Sequence, residues 1–141
     1  MKIKSADIRK TISSIYPGMQ FIVLTDEQWD LPSIDDIKKT PVFSKYLRYL
    51  PYVFECEEIS LSFVSDLRKF RASGMIENNV PDSDRLNWPV GFVWGTKYRG
   101  RNLNHWWNVA FTKEGMFFIE KQTDEIWKPR KDSDDIHFLW M

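Results

Sequence analysis

The chain has 141 residues, of which 43% are hydrophobic, and its 20 Lys and Arg residues balance 20 Asp and Glu residues. This length predicts a single domain over residues 1–141 with enough apolar residues for a core. The zero net charge argues against a nucleic-acid partner, because phosphate neutralisation needs a basic surplus.

Three further features of the sequence indicate the cellular compartment of the protein. No apolar run reaches the ~18 residues needed to span a bilayer, so no membrane partner is expected. The polar start Met1–Ser5 predicts no signal peptide, and the lone Cys56 excludes an internal disulfide framework or a multi-thiolate zinc site. These features predict the cytoplasm. The basic clusters Lys38-Lys39 and Lys128–Lys131 are interpreted as solvated faces.

The first half of the chain predicts helices. Ile8, Ile12 and Ile15 recur at helical spacing, and Pro17-Gly18 ends that pattern. Apolar and capping patterns predict, in order, a helix over 5–16 with Ser5 as N-cap, a strand over 19–25, a helix from the N-cap Ser33 to Pro41, a short helix over 44–50, and a long helix over 57–73 with Gly74 as C-cap.

The second half predicts an antiparallel sheet. Apolar and aromatic runs predict strands over 90–94, 106–111, 116–120 and 136–140. Glu114-Gly115 predicts a tight turn, while residues 78–87 and 97–104 are interpreted as loops. Helices followed by a sheet predict an α+β fold, with the central helix packed on the sheet.

Cys56 directly precedes the long predicted helix. The positive end of the helix dipole and free backbone N–H groups favour a thiolate there, and the same N–H groups can stabilise an oxyanion. Cys56 is therefore a candidate nucleophile. The alternative is a buried structural cysteine.

His105 and Glu120 lie on either side of the predicted hairpin turn. A histidine at a strand entry can face a helix start, and a glutamate at the end of an apolar strand can orient it. Gln122 follows on the same side of the chain and can support this site. The alternative for His105 is a hydrogen-bonded histidine near a loop. The order Cys, His, acid is typical of papain-like enzymes.

Three stretches carry a family resemblance: Phe54-Glu-Cys-Glu-Glu-Ile-Ser, Asn104-His-Trp-Trp-Asn-Val-Ala and Phe118-Ile-Glu-Lys-Gln-Thr-Asp. In this order they resemble the C-terminal protease domain of the Marasmius oreades agglutinin type, including stand-alone "lectin MOA-related" proteins that phages and bacteria encode. The resemblance runs from about residue 25 to the C-terminus. It implies a papain-like fold and a cysteine peptidase with a Cys56, His105, Glu120 triad acting on a peptide or protein.

In that family two acidic residues after the cysteine help to bind an activating calcium ion, and Glu57 and Glu58 match them here. The alternative is that these glutamates only complement the helix dipole. The sequence itself requires no cofactor. It departs from the family pattern at Ile59-Ser60, at the bulky Trp106 and at Lys121, which replaces a proline. We expect no counterpart of the agglutinin's lectin half in this chain, so the resemblance implies no sugar-binding function. If a phage encodes the chain, the expected location is the host cytoplasm.

Two functional hypotheses follow. The first is a cysteine hydrolase, with Trp94 and Trp106 lining a substrate cleft. The second is a catalytically retired fold used as a phage-type binding protein, because aromatic side chains dominate binding hot spots. The rings that motivate it are those of Trp88, Trp94, Trp106, Trp107 and Trp127.

Overall fold

The computed structural model describes residues 1–52 and 54–141. The helices are α1 (Ser5–Ile15), α2 (Ile34–Lys38), α3 (Pro41–Ser44) and α4 (Cys56–Glu77), with a 3-10 turn at Asp82–Asp84. The strands are β1 (Lys2–Lys4), β2 (Phe21–Val23), β3 (Gln28–Asp30), β4 (Val90–Tyr98), β5 (Arg101–Thr112), β6 (Gly115–Glu120), β7 (Glu125–Trp127) and β8 (Asp135–Trp140).

The main sheet has six strands in the order β2-β8-β4-β5-β6-β7. The α+β prediction is confirmed, but the sheet is not wholly antiparallel, because β2 pairs in parallel with β8. Two antiparallel hairpins at its centre, β4-β5 and β5-β6, bring together strands that are adjacent in sequence. A separate two-stranded sheet joins β1 to β3.

Two apolar cores lie on opposite faces of the main sheet. Successive strand residues alternate between them: Val93 belongs to one core and Phe92 to the other, as do Val109 and Ala110. The first core includes residues of α1, and the second includes residues of α2, α3 and α4. The sheet is therefore covered on both faces. No helix in the described ranges 1–52 and 54–141 is long and apolar enough to cross a bilayer.

Helix α4 begins one residue earlier and ends later than predicted. Glu55 is its N-cap, and reciprocal hydrogen bonds with Glu58 form a capping box. Gly74 lies inside the helix and is not its cap, which corrects the prediction. The helix ends at Glu77, and Asn79 then takes a positive φ of 50°.

Four other predictions were wrong. Ser5 is not the N-cap of α1 but its first residue, because Lys4 takes the N-cap position. Pro41 does not end a helix but begins α3, the position where a missing N–H costs least, and residues 45–49 are not helical. Residues 97–104 are not a loop, since most of them extend β4 and β5 into a long hairpin. Arg99 and Gly100 both have positive φ at its turn, as a two-residue turn of this kind requires.

Candidate functional site

Cys56 is the first residue of α4 and is partly buried. Its Sγ lies 3.4 Å from Oε2 of Glu57, and its carbonyl accepts a hydrogen bond from Ser60 Oγ at 2.8 Å. The thiol is thus held at the N-terminal end of a 22-residue helix, where the dipole is positive. It is not sealed in either apolar core.

His105 and Glu120 meet as the hairpin prediction required. Nε2 of His105 pairs with Oε2 of Glu120, and the two side chains are only 12% and 6% exposed. The other carboxylate oxygen, Oε1, accepts a hydrogen bond from the backbone N–H of Gln122 at 3.0 Å. Gln122 therefore contacts Glu120 through its main chain and holds the carboxylate in place.

The pKa of His105 depends on both Cys56 and Glu120. Burial alone lowers its pKa, but hydrogen bonds with the side chains of Cys56 and Glu120, and the charges of these two groups, raise the pKa to about 9. At neutral pH the ring therefore carries a proton. His105 thus pairs directly with Glu120 and lies close enough to Cys56 for the two side chains to interact.

Tyr98 belongs to this cluster and was not predicted. Its ring lies edge-on to His105 with centroids 4.6 Å apart, while Trp107 stacks on His105 at 5.9 Å. Burial, followed by the nearby charge of Glu120, raises the pKa of Tyr98 to about 12. Tyr98 lies in a stretch interpreted as a loop, so only the correct extent of β4 could have revealed it.

Trp94 and Trp106 lie elsewhere, on the other face of the sheet from His105. They are direct cross-strand partners in the β4-β5 hairpin, which places both rings on one face. Trp106 packs against the second core, whereas Trp107, the ring neighbour of His105, belongs to the first. The prediction that these tryptophans share one cleft with Cys56 and His105 therefore disagrees with the structure.

These two tryptophans line an open groove of about 520 Å³, which we call the aromatic groove. Phe21, 61% exposed, and Phe138 add further rings. Its polar groups are those of Gln20, Thr96 and His137, and Oγ1 of Thr96 lies 2.8 Å from Nε2 of His137. A mostly apolar surface with a few polar groups is typical of small-ligand sites. The groove joins β2 to β4 and β8, strands distant in sequence, so no local pattern predicted it.

Glu57 and Glu58 provide an incomplete donor set for calcium. One oxygen of Glu58 accepts the backbone N–H of Glu55 as part of the helix cap, and Glu57 contacts the Cys56 thiol. Within residues 1–52 and 54–141 no group of three or more His, Cys, Asp or Glu side chains could hold a metal ion. Two carboxylates fall short of the roughly six to eight oxygens that Ca²⁺ takes. Calcium binding stays a prediction, and we derive no chemical step through it.

Lys121, one of the departures from the family pattern, directly follows Glu120 and is buried. Its Nζ donates to the Phe43 carbonyl and pairs with Asp124, and it lies 4.3 Å from the centroid of the Phe43 ring. A buried ammonium needs such partners to offset its lost hydration. Lys121 thereby fixes the turn that follows Glu120.

The fold is shared with solved structures. No family model and no curated protein matches the sequence. A PSL1a–E64 complex matches with a TM-score of 0.71 at 15% identity, over 99% of this chain and 51% of that one. Polyporus squamosus lectin bound to the human-type influenza-binding epitope Neu5Acα2-6Galβ1-4GlcNAc matches with a TM-score of 0.69 at 15% identity, over 99% and 49%. This chain spans about half the length of each.

These neighbours correct the functional prediction. The prediction of a cysteine hydrolase acting on a peptide is wrong, because the structures that share the fold are lectin structures, one of them bound to a saccharide. The same comparison does not support the papain-like description of the fold. The chain shares the fold of about half of a fungal lectin.

Proposed function

We propose that this protein is a binding protein whose ligand lies on the aromatic groove. The single observation that carries the proposal is the cross-strand pair Trp94–Trp106, which presents two neighbouring rings at an open surface together with Phe21 and Phe138. Large aromatic side chains supply much contact area at a low cost in conformational entropy, which is why binding sites favour them.

The groove suits a ligand with a flat apolar face and a few hydroxyl groups. Its rings can cover the apolar face, while the side chains of Thr96, His137 and Gln20 can exchange hydrogen bonds with hydroxyl groups at the edge. A saccharide has this chemistry. The saccharide named in the lectin structure is therefore the first probe, although that structure is twice as long as this chain.

The test is a titration with Neu5Acα2-6Galβ1-4GlcNAc and a panel of mono- and oligosaccharides, observed through the indole N–H signals of the seven tryptophans by NMR. We expect saturable shifts at Trp94 and Trp106, and a loss of binding of about tenfold or more in Trp94→Ala. Tyr46→Ala removes a 74% exposed ring outside the groove and is the matched control. A panel in which no saccharide moves these two signals would rule out a saccharide ligand for the groove.

A second candidate property concerns the thiol. We propose that Cys56 is a nucleophile, that His105 is its protonated neighbour, and that Glu120 orients His105. A protonated imidazole beside a thiol at a helix start favours the thiolate, and the raised pKa of His105 supports a protonated ring at pH 7. Such a thiol forms covalent adducts with electrophiles. A free thiol persists in a reducing compartment, so this proposal is consistent with the predicted cytoplasmic location.

Alkylation kinetics test this second property. Iodoacetamide transfers its carboxamidomethyl group to the Cys56 sulfur and releases iodide. At pH 6.5 we expect a rate at least about tenfold above that of a free thiol, and a return to the free-thiol rate in His105→Ala. His137→Ala, which removes the other histidine, should leave the rate unchanged. Equal rates in the native protein and in a model thiol would refute an activated Cys56.

A further inference from the structure

A second cavity, separate from the aromatic groove, lies at the other end of the sheet. It has a volume of about 360 Å³ and is lined by Arg99, Trp127, Lys128, Arg130, Ser133 and Asp134. The sequence predicted that Lys128–Lys131 forms a solvated face, but here two of its cations border a concave space. We call this space the basic cavity.

A buried aspartate organises the walls of the basic cavity. Asp134 is 1% exposed. Its Oδ1 accepts the backbone N–H of Arg99 at 3.0 Å, and its Oδ2 accepts the backbone N–H of Arg130 and the indole N–H of Trp127, both at 3.3 Å. Three residues of the cavity wall, Arg99, Trp127 and Arg130, are thus tied to one carboxylate, and their three N–H groups use much of its acceptor capacity.

Further main-chain contacts hold the same loop against the β4-β5 turn. The backbone N–H of Gly100 donates to the Ser133 carbonyl at 2.7 Å, and Nζ of Lys97 donates to the Asp132 carbonyl. The Arg99 guanidinium lies 5.0 Å from the centroid of the Trp127 ring. A site whose walls are fixed before the ligand arrives loses less entropy on binding.

The charges around the cavity are unequal. Arg99 pairs with Glu125, but in the described part of the chain neither Lys128 nor Arg130 forms an ion pair. Asp134 is the one carboxylate in the lining and already accepts three N–H groups. Lys128 and Arg130 therefore border the cavity without an ion-pair partner among the described residues.

We propose that the basic cavity binds the phosphate or sulfate group of a small molecule. Guanidinium groups donate parallel hydrogen bonds to the oxygens of such anions, and an ammonium adds a point charge. The volume lies at the lower end of the range of about 300–1,000 Å³ for small-molecule sites, so it leaves room for an organic group beside the anion. The Trp127 ring provides an apolar wall for that group.

The experiment is an NMR titration of the full chain with inorganic phosphate, and in parallel with inorganic sulfate and phenyl phosphate, at constant ionic strength. The reporters are the indole N–H of Trp127 and the backbone N–H groups of Arg99 and Arg130. We expect saturable shifts at these signals, and tighter binding of phenyl phosphate than of inorganic phosphate. A preference for phosphate or for sulfate identifies which anion the natural ligand carries.

Charge-removing variants decide the outcome. Arg130→Gln keeps the backbone N–H that Asp134 accepts and should weaken phosphate binding about tenfold or more. Lys128→Gln, measured separately, should weaken it in the same direction. Arg48→Gln removes an exposed arginine far along the chain and should change nothing. Shifts that do not saturate, or equal affinities in Arg130→Gln and Arg48→Gln, would mean that the anion only screens surface charge, and would overturn the proposal.

Discussion

The protonation of His105 is the most informative quantity to measure. Its pKa of about 9, against 6.5 for an ordinary histidine, corresponds to about 3 kcal/mol of interaction that favours the charged ring. Because the folded-state pKa lies above the unfolded one, this contribution to stability is fully present below about pH 6.5 and is lost as the pH rises through about 9. We expect the free energy of unfolding to fall by up to about 3 kcal/mol over that interval.

Glu120→Gln tests whether the charge of Glu120 raises the pKa of His105. It keeps the shape of the side chain but removes the charge that pairs with His105, so burial, which lowers the pKa of His105, is opposed by Cys56 alone. We expect the pKa to fall by at least about one pH unit, and the decline of stability between pH 6.5 and 9 to shrink with it.

NMR titration of the imidazole C–H signals provides the assay, since the chain has only two histidines. Asp135→Asn removes the carboxylate 3.6 Å from His137 and should leave the titration of His105 unchanged. A midpoint at or below pH 6.5 for His105 in the native protein, or the same midpoint in Glu120→Gln, would refute the coupling of the three side chains.

Three stability predictions can be measured together by urea unfolding at pH 7. Gly91→Ala places a methyl group 2.0 Å from the Trp140 carbonyl oxygen and should cost about 3 kcal/mol or more. Asn108→Ala removes two buried hydrogen bonds, to the Ser60 and Gly91 carbonyls, and should cost about 2 kcal/mol. Ser33→Ala removes the N-cap of α2 and should cost about 1 kcal/mol. The reverse order of these three costs would contradict the packing described.

Local sequence signals predicted the elements that local interactions form. Ser33 is the N-cap of α2, as predicted, and the structure adds a capping box with Asp36. The isoleucines of α1 are buried at Ile8 and Ile12, as their helical spacing predicted. The Glu114-Gly115 turn joins β5 and β6 within one residue of its expected place. In each case the contacts that decide the structure lie within a few residues.

Several of the errors concern elements that distant pairing decides. The short strands β1, β3 and β7 have no strong pattern of their own, and hydrogen bonds with a partner strand define them. The parallel β2-β8 pair joins residues 21–23 to residues 138–140, a separation that no local periodicity encodes. The extension of β4 and β5 through residues 97–104 uses Arg99 at positive φ, where Asn or Asp would have given a clearer signal.

The candidate site, like the fold, was predictable only where local sequence signals determine it. The proximity of Cys56, His105 and Glu120 could be inferred from a helix start and a hairpin. Tyr98 could not, because its place depends on the long hairpin. The functional conclusion drawn from those residues was wrong for a different reason. Chain order and residue type indicate which chemistry is possible but do not fix the function, and the structures that share the fold are lectin structures.

Successive side chains of β5 point to opposite faces of the sheet, and this separates the aromatic groove from the cluster of Cys56, His105 and Glu120. His105 and Trp106 are consecutive residues of one strand, so their side chains point to opposite faces. The ring contacts of His105 are Tyr98 and Trp107, while Trp106 contacts Phe92 and Phe138. A ligand on the aromatic groove therefore does not touch the imidazole of His105. It follows that Trp94→Ala should weaken groove binding about tenfold or more without moving the titration of His105. Glu120→Gln should move that titration without affecting groove binding. If either variant changed both properties, the sheet would not separate the two sites.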